Sequence, residues 1–550
     1  MKGPILSKEQ NKRAFFSGVL SLSIANIIVK IIGLFFKIPI ANILSQESLG
    51  SGVGLGYFSA SYTVYTWLFM VATAGLPNGI SIVIAENRAA GRRAETKRIF
   101  RSTLLLFFFV GLLLTATMLF GAGGIAALIK NPDARFSMAA IAPTLVFVCL
   151  MSVFRGYFYG FQEMLPSAIS EVIEAIGKLV FGIGGAYYAY RMGYSAPRVA
   201  AYAVFGVTAG VFLGTLFLFL AYLYYNKRNK FLISVLPSEP SSGGTLRRVF
   251  ALSIPITVAS SVMSLTGLID VGTMMARLQS IGYTEAEASA LYGTYTMLAV
   301  PIYNLPIVLL SPISAAILPL ISGMLARGDR EGTQRISESA LRLVALFVIP
   351  SALGIAVFSR PILALLYEDN AAATAAPLLS VLSAATFFLG LLTVMNAVLQ
   401  AHKLAGKTVI SMLAGAVVKL LSGIFLVGDP AIGMYGVPLS TVLCYFTIVV
   451  FDTYYFARHL HIVPRFSHAF IRPICASGVA LLPVKFLLYP FLETHVTEAI
   501  ATLLSIGAVG VLYIVFLFVF RAVLRSDILL LPHGEKIYTF LQKKKLISKG

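Results

Sequence analysis

The chain is 550 residues long, 58% hydrophobic and only 12% charged, with a mean hydropathy of +0.86. That charged fraction is about half the usual value for a soluble domain, and apolar runs of about 18 residues or more recur along almost the whole length. These properties exclude a soluble enzyme and predict an all-α, polytopic membrane protein. A transmembrane barrel would need alternating strands of about ten residues, shorter than these continuous runs. The net charge of +20 does not point to nucleic acid, because the basic residues fall between apolar runs and so report topology. The three cysteines, Cys149, Cys444 and Cys475, lie in apolar segments without pairing or metal spacing and are read as small buried hydrophobes.

In chain order, Lys2, Lys8, Lys12 and Arg13 precede a first apolar run that is too long for a signal-peptide core of roughly 7–15 residues, so it reads as a retained span. The rule of about 20 residues per span places fourteen helices, at roughly 14–38, 57–84, 99–120, 137–160, 167–190, 199–225, 249–275, 291–322, 337–359, 377–400, 407–427, 433–457, 470–490 and 499–522. With the N-terminus inside, inner loops and flanks hold about 31 of the 43 Lys and Arg, against about 7 in outer loops. Both termini are therefore expected in the cytoplasm.

An internal repeat divides the chain. "ENRAAGRRAETKRI" (Glu86 to Ile99) lies against "GMLARGDREGTQRI" (Gly323 to Ile336), setting Gly91 on Gly328 and Arg93 on Arg330. "GLFFKIPIANIL" (Gly33 to Leu44) echoes "GLIDVGTMMARL" (Gly267 to Leu278), and Gln162…Lys178 echoes Gln400…Lys419 with a three-residue gap. The repeat predicts two six-helix lobes of equal orientation, 1–225 and 249–457, with a cavity between them. The Ser/Pro/Gly-rich stretch within 226–248 reads as a cytoplasmic linker, 458–523 as two extra spans, and 524–550 as a basic tail suited to anionic lipid.

No catalytic constellation, cofactor motif or metal site is legible. "AGKT" at 405–408 has Ala401 where a phosphate-binding loop needs glycine and has no preceding strand, and "HLH" at 459–461 has no further ligands. What remains is charge inside apolar helices, which is costly unless paired or hydrated and so marks function by default. Lys30 lies about 24 Å along the first span, Lys37 shares its face nearer the outer end, and Gly33 and Pro39 allow that helix to bend. Lys178 and Lys419 each lie roughly 17 Å into their spans. Glu171, Glu174 and Lys178 line one helix face, with Glu174–Lys178 spaced for an internal ion pair. Arg155, about 7 Å from the inner end of its span, is able to snorkel. Asp270 and Arg277 fall near an outer end, and Asn78 and Asn304 occupy spans two and eight. Lys30, Lys37, Asn78, Asn304, Arg277 and Lys419 are taken as substrate-binding residues. Arg155, Glu171, Glu174 and Lys178 are taken as structural charge within one lobe.

"TAGLPNGISIVIAENRAAG" (Thr73 to Gly91) and "RGYFYGFQEMLPSAISEVIE" (Arg155 to Glu174) resemble signatures of the polysaccharide-biosynthesis branch of the multidrug/oligosaccharidyl-lipid/polysaccharide exporter superfamily. Within it the chain is similar to the stage V sporulation protein B-like proteins and the MurJ-like lipid II flippases of Gram-positive bacteria. The resemblance covers nearly the whole chain. It implies two lobes around a cavity lined by spans one, two, seven and eight, and export of undecaprenyl-pyrophosphate-linked sugar across the bacterial cytoplasmic membrane. Lys30 matches a basic cavity position of the MurJ-like proteins, and Lys37 falls near a second charged one. The arginines such proteins carry in spans two and eight are missing here, and no acidic sodium site is recognisable. The expectation is a transporter rather than an enzyme, with lipid II as substrate and anionic lipids and cell-wall enzymes as partners. Another lipid-linked polysaccharide unit, a cation-coupled drug exporter, a membrane-embedded glycosyltransferase and a non-transporting scaffold are the alternatives.

Overall fold

The computed structural model describes residues 25, 28–33, 35–89, 93–229, 244–460 and 470–523. The linker at 232–243, the start of the first span, His461 and the basic tail from 524 lie outside the described residues. All regular structure in the described residues is helical, and eleven helices are long and apolar enough to cross a membrane, against the fourteen expected. Two more helices, Leu165–Arg191 and Gly244–Ser280, have 27 and 37 residues, ample length at about 1.5 Å per residue.

The chain forms two compact units. Unit 1 comprises residues up to Gln279 together with Tyr283–Gly293, and unit 2 comprises Ser280–Gly282 and everything from Thr294. In unit 1, helical residues 35–44 precede α1 (Val53–Thr73), α2 (Leu76–Ala89), α3 (Arg93–Phe120), α4 (Thr144–Gly160), α5 (Leu165–Arg191), α6 (Ala196–Asn229), α7 (Gly244–Ser280) and α8 (Glu285–Thr294). Helices α5 and α6 form an antiparallel pair packed along most of its length. A Cβ added at Gly177 would stand 2.7 Å from the Gly210 Cα, so this backbone approach requires glycine.

The two signature stretches prove to be two sides of one contact. Ala74 and Gly75 interrupt the second span between α1 and α2. Across from α2, Gly156 of α4 faces Ile80 and Pro77, and Gly160 faces Ile84 and Ser81; a Cβ at Gly156 would lie 2.9 Å from that of Ile80. Arg88 closes the far end, donating from Nη1 to the Phe161 carbonyl at 2.5 Å with its guanidinium 5.3 Å from the Phe161 ring.

Unit 2 contains α9 (Val300–Ala326), α10 (Arg330–Val357), α11 (Asp369–Ala401), α12 (Ala405–Val427), α13 (Gly436–Tyr455), α14 (Arg472–Pro483) and α15 (Glu498–Val519). Its core joins Leu310, Ile317 and Ile321 of α9, Leu341, Val344 and Val348 of α10, and Val394 and Val398 of α11 with Tyr455 of α13. Helix α14 packs on α10, and Tyr513 of α15 donates to the Leu346 carbonyl at 2.7 Å. Cys149 and Cys444 are buried, but Cys475 is exposed, which corrects the expectation for it. It shares the outer flank of α14 with exposed Ile474 and Leu482; apolar surroundings in a bilayer need no burial inside protein.

The repeat is visible in local geometry. The left-handed residues that end the turns after α4 and α11 are Gln162 and Lys403. Their separation (403 − 162 = 241) equals that of Lys178 and Lys419 (419 − 178 = 241), so this part of the repeat aligns Gln162 with Lys403 rather than Gln400 and needs no gap.

Candidate functional site: charge buried among apolar helices

In unit 1, Arg155 turns inward from α4 instead of snorkelling. Its Nη2 lies 3.1 Å from Glu174 Oε2, and on the other side Lys178 Nζ lies 2.5 Å from Glu174 Oε1. The three side chains retain 15–25% exposure. Ser170, one turn before Glu174, accepts from Arg155 Nε and Nη2 at 3.3 Å and donates to the Ser167 carbonyl at 2.6 Å. Glu171 stands within electrostatic reach of Arg155, and its buried Oε2 has no hydrogen-bond partner among the described residues. Counting Arg155, Glu174 and Lys178 alone, the cluster carries one excess positive charge.

An aromatic column on α1 runs beside this cluster. Phe58, Tyr62, Tyr65 and Phe69 follow one another with ring centroids 5.9–6.1 Å apart. Tyr62 is within electrostatic reach of Lys178, and Tyr65 of Glu174 and Arg155. Sequence reasoning missed these tyrosines, although the 4-3-4 spacing of 58, 62, 65 and 69 is a helical stripe. Phe36, next to Lys37, sits 6.3 Å from the Phe58 ring and packs on Gly182 of α5.

The other expected site residues are scattered. Lys30 is exposed and Lys37 half-buried on the first helical residues; Asn78 is exposed on α2; Arg277 is half-buried near the end of α7. In unit 2, Asn304 Nδ2 donates to the Val300 carbonyl of its own helix at 3.0 Å, and Lys419 is 3% exposed within α12. Unit 1 therefore gathers Arg155, Glu174 and Lys178 and does not add Asn78 or Arg277 to them.

Unit 1 also holds two contact zones between its first 229 residues and the 244–293 segment. Toward the expected outer end, Thr63 and Tyr292 share a 2.9 Å hydrogen bond, and Gly56 meets the backbone of Ser289 and Gly293. Toward the expected inner end, the Gly75 N–H donates to Thr257 Oγ1 at 3.1 Å, and Gly79 packs on Ser253.

The model of the lipid II flippase MurJ family matches residues 80–490. The chain belongs to that family. Among curated relatives, stage V sporulation protein B of Bacillus subtilis (strain 168) is 26% identical over 95% of this chain and 98% of its own length. The lipid II flippase MurJ of the same organism is 22% identical over 80% of this chain and 82% of its own. A lipid II flippase MurJ solved in an inward closed conformation superimposes with a TM-score of 0.68 at 16% identity, covering 91% of this chain and 98% of that one. An inward-facing multidrug resistance MATE family transporter of the MOP superfamily gives 0.65 at 16% identity, over 81% and 98%. At such identities the likeness to solved structures establishes the fold, that of a multi-pass MurJ- and MATE-like transporter.

Proposed function

We propose that this chain is a flippase for a lipid-linked cell-wall precursor, lipid II in the first instance, and that it works by alternating access at the bacterial cytoplasmic membrane with both termini inside. The family match over residues 80–490 carries this reading. Basic side chains carried within apolar helices support it, since a sugar-bearing pyrophosphate cannot cross about 30 Å of hydrocarbon without compensating charge. Lys30, exposed on an apolar helix, serves as the hydrated point charge that meets the pyrophosphate, with Lys37, Asn78, Asn304, Arg277 and Lys419 as secondary polar sites. The Thr63–Tyr292 and Gly75–Thr257 contacts are the seals that open in turn. An interior-negative potential helps outward movement of an anionic headgroup by roughly 2.3 kcal/mol per charge per 100 mV.

A second reading, export of another undecaprenyl-pyrophosphate-linked saccharide, is favoured by the greater coverage of stage V sporulation protein B. Depletion in a strain without a redundant flippase separates the two. An externally added enzyme that cleaves only exposed headgroups reports lipid II at the outer leaflet. Exposure falls on the first reading; unchanged exposure removes it.

A further inference from the structure

The repeat alignment that sets Lys178 on Lys419 also sets Ser167 on Thr408, Ser170 on Ser411 and Arg155 on Asn396. In unit 1 the conserved-geometry serine, Ser170, faces the permanent cation Arg155. In unit 2 its counterpart Ser411 faces an acid: its Oγ lies 2.6 Å from Asp452 Oδ1 on α13. Asp452 and Ser411 are both 0% exposed.

We propose that Asp452 is a proton-binding site, occupied in this conformation. Complete burial of the carboxyl with no cation beside it among the described residues carries the inference. Ser411 has one hydroxyl proton, yet its Oγ contacts two groups, Asp452 Oδ1 at 2.6 Å and the Lys407 carbonyl at 3.2 Å. The one hydroxyl proton serves either acceptor, and a proton on Asp452 lets both contacts be served at once. With a proton on Oδ1 the relay closes: Asp452 donates to Ser411, and Ser411 donates to the Lys407 carbonyl. Asp452 Oδ2 is buried without a partner among the described residues, as are Thr408 Oγ1 and Asn396 Oδ1. An unpaired carboxylate in that setting is far costlier than a neutral acid.

Among the described residues, the groups packed around the site supply no counter-charge. From α12, the Lys407 ammonium lies over the Tyr455 ring, 5.5 Å from its centroid, and forms no ion pair with Asp452. From α11, the facing core side chains Val394, Ala397 and Val398 are apolar up to His402, whose Nδ1 is taken by the Val398 carbonyl at 2.9 Å. Lys403, Arg458 and His459 are exposed beyond the end of the pair. The bound proton comes from water and returns to it when the α12–α13 end hydrates. Coupling of that event to transport rests on the flippase reading, whereas the protonation does not.

Infrared difference spectra of the full-length protein in lipid, wild type against Asp452→Asn at neutral pH, test the site directly. A carboxylic-acid carbonyl band that responds to deuterium exchange is expected in the wild type and lost in the variant. Should Asp452→Asn fail to fold, Ser411→Ala must move that same band to higher frequency. Loss of carboxylate bands instead, or a carboxylate band that shifts on adding sodium, overturns the proposal. An acid band present in a protein whose depletion leaves headgroup exposure unchanged would strike the flippase reading alone and leave the proton site standing.

Discussion

Glu174→Gln is the sharpest perturbation of the unit 1 cluster. It keeps the shape but removes the only charge that Arg155 and Lys178 share. At 3.1 Å and an effective dielectric near 20, the gross attraction of Arg155 to Glu174 is about 5 kcal/mol. Much of that is offset by desolvation, and removing one partner of a buried pair costs about 3–5 kcal/mol. The side chains keep 15–25% exposure, which puts the expected loss near the lower end, about 3 kcal/mol. For a unit of this size that lowers the unfolding midpoint by about 5 °C. A thiol-reactive dye reads it, because Cys149 and Cys444 are buried until unfolding; the exposed Cys475 is first replaced by alanine. Glu174→Gln combined with Lys178→Met restores the wild-type net charge and should recover about half of the loss, judged against the same pair energy. If Glu174→Gln unfolds at the wild-type midpoint, the cluster is solvated rather than mutually held.

Lys30→Ala should abolish complementation of a depleted strain with the protein at normal amount in membrane fractions; full activity would sink the pyrophosphate role. Gly156→Val places a branched side chain against Ile80 and Pro77 and should cost about 1–3 kcal/mol, seen as a lower dye-labelling midpoint. Tyr292→Phe removes the bond to Thr63 and should weaken that seal by about 1 kcal/mol, measured as faster modification of a cysteine placed at Thr66, one turn along α1, which leaves the bond itself intact.

Fold class was legible because it rests on bulk properties. Long apolar runs can satisfy their backbone in a bilayer only as helices, so composition alone set the all-α class. The signature motifs were recognisable as strings, but their purpose was not: only packing shows that Gly156 and Gly160 exist to admit Ile80 and Ile84. Spacing along one helix exposed the Glu174–Lys178 pair, since residues four apart always share a face. The sequence grouped Arg155 with them only as charge of the same lobe able to snorkel, because the contact to Glu174 crosses from α4 to α5.

The same limit governs what was missed. Tyr62, Tyr65 and Asp452 stand among ordinary span residues, and the bond from Asp452 to Ser411 joins positions 41 apart in sequence. The repeat was found in sequence, yet its register near Gln162 was set three residues off, since no residue identity marks a left-handed turn that Gln162 and Lys403 both adopt. The sequence by itself determined a helical membrane protein, through hydropathy and periodicity, which are properties of single segments. Tertiary structure decided which charges neutralise one another and which acid is buried without a cation among the described residues, because both depend on distances between helices that no spacing along one helix contains.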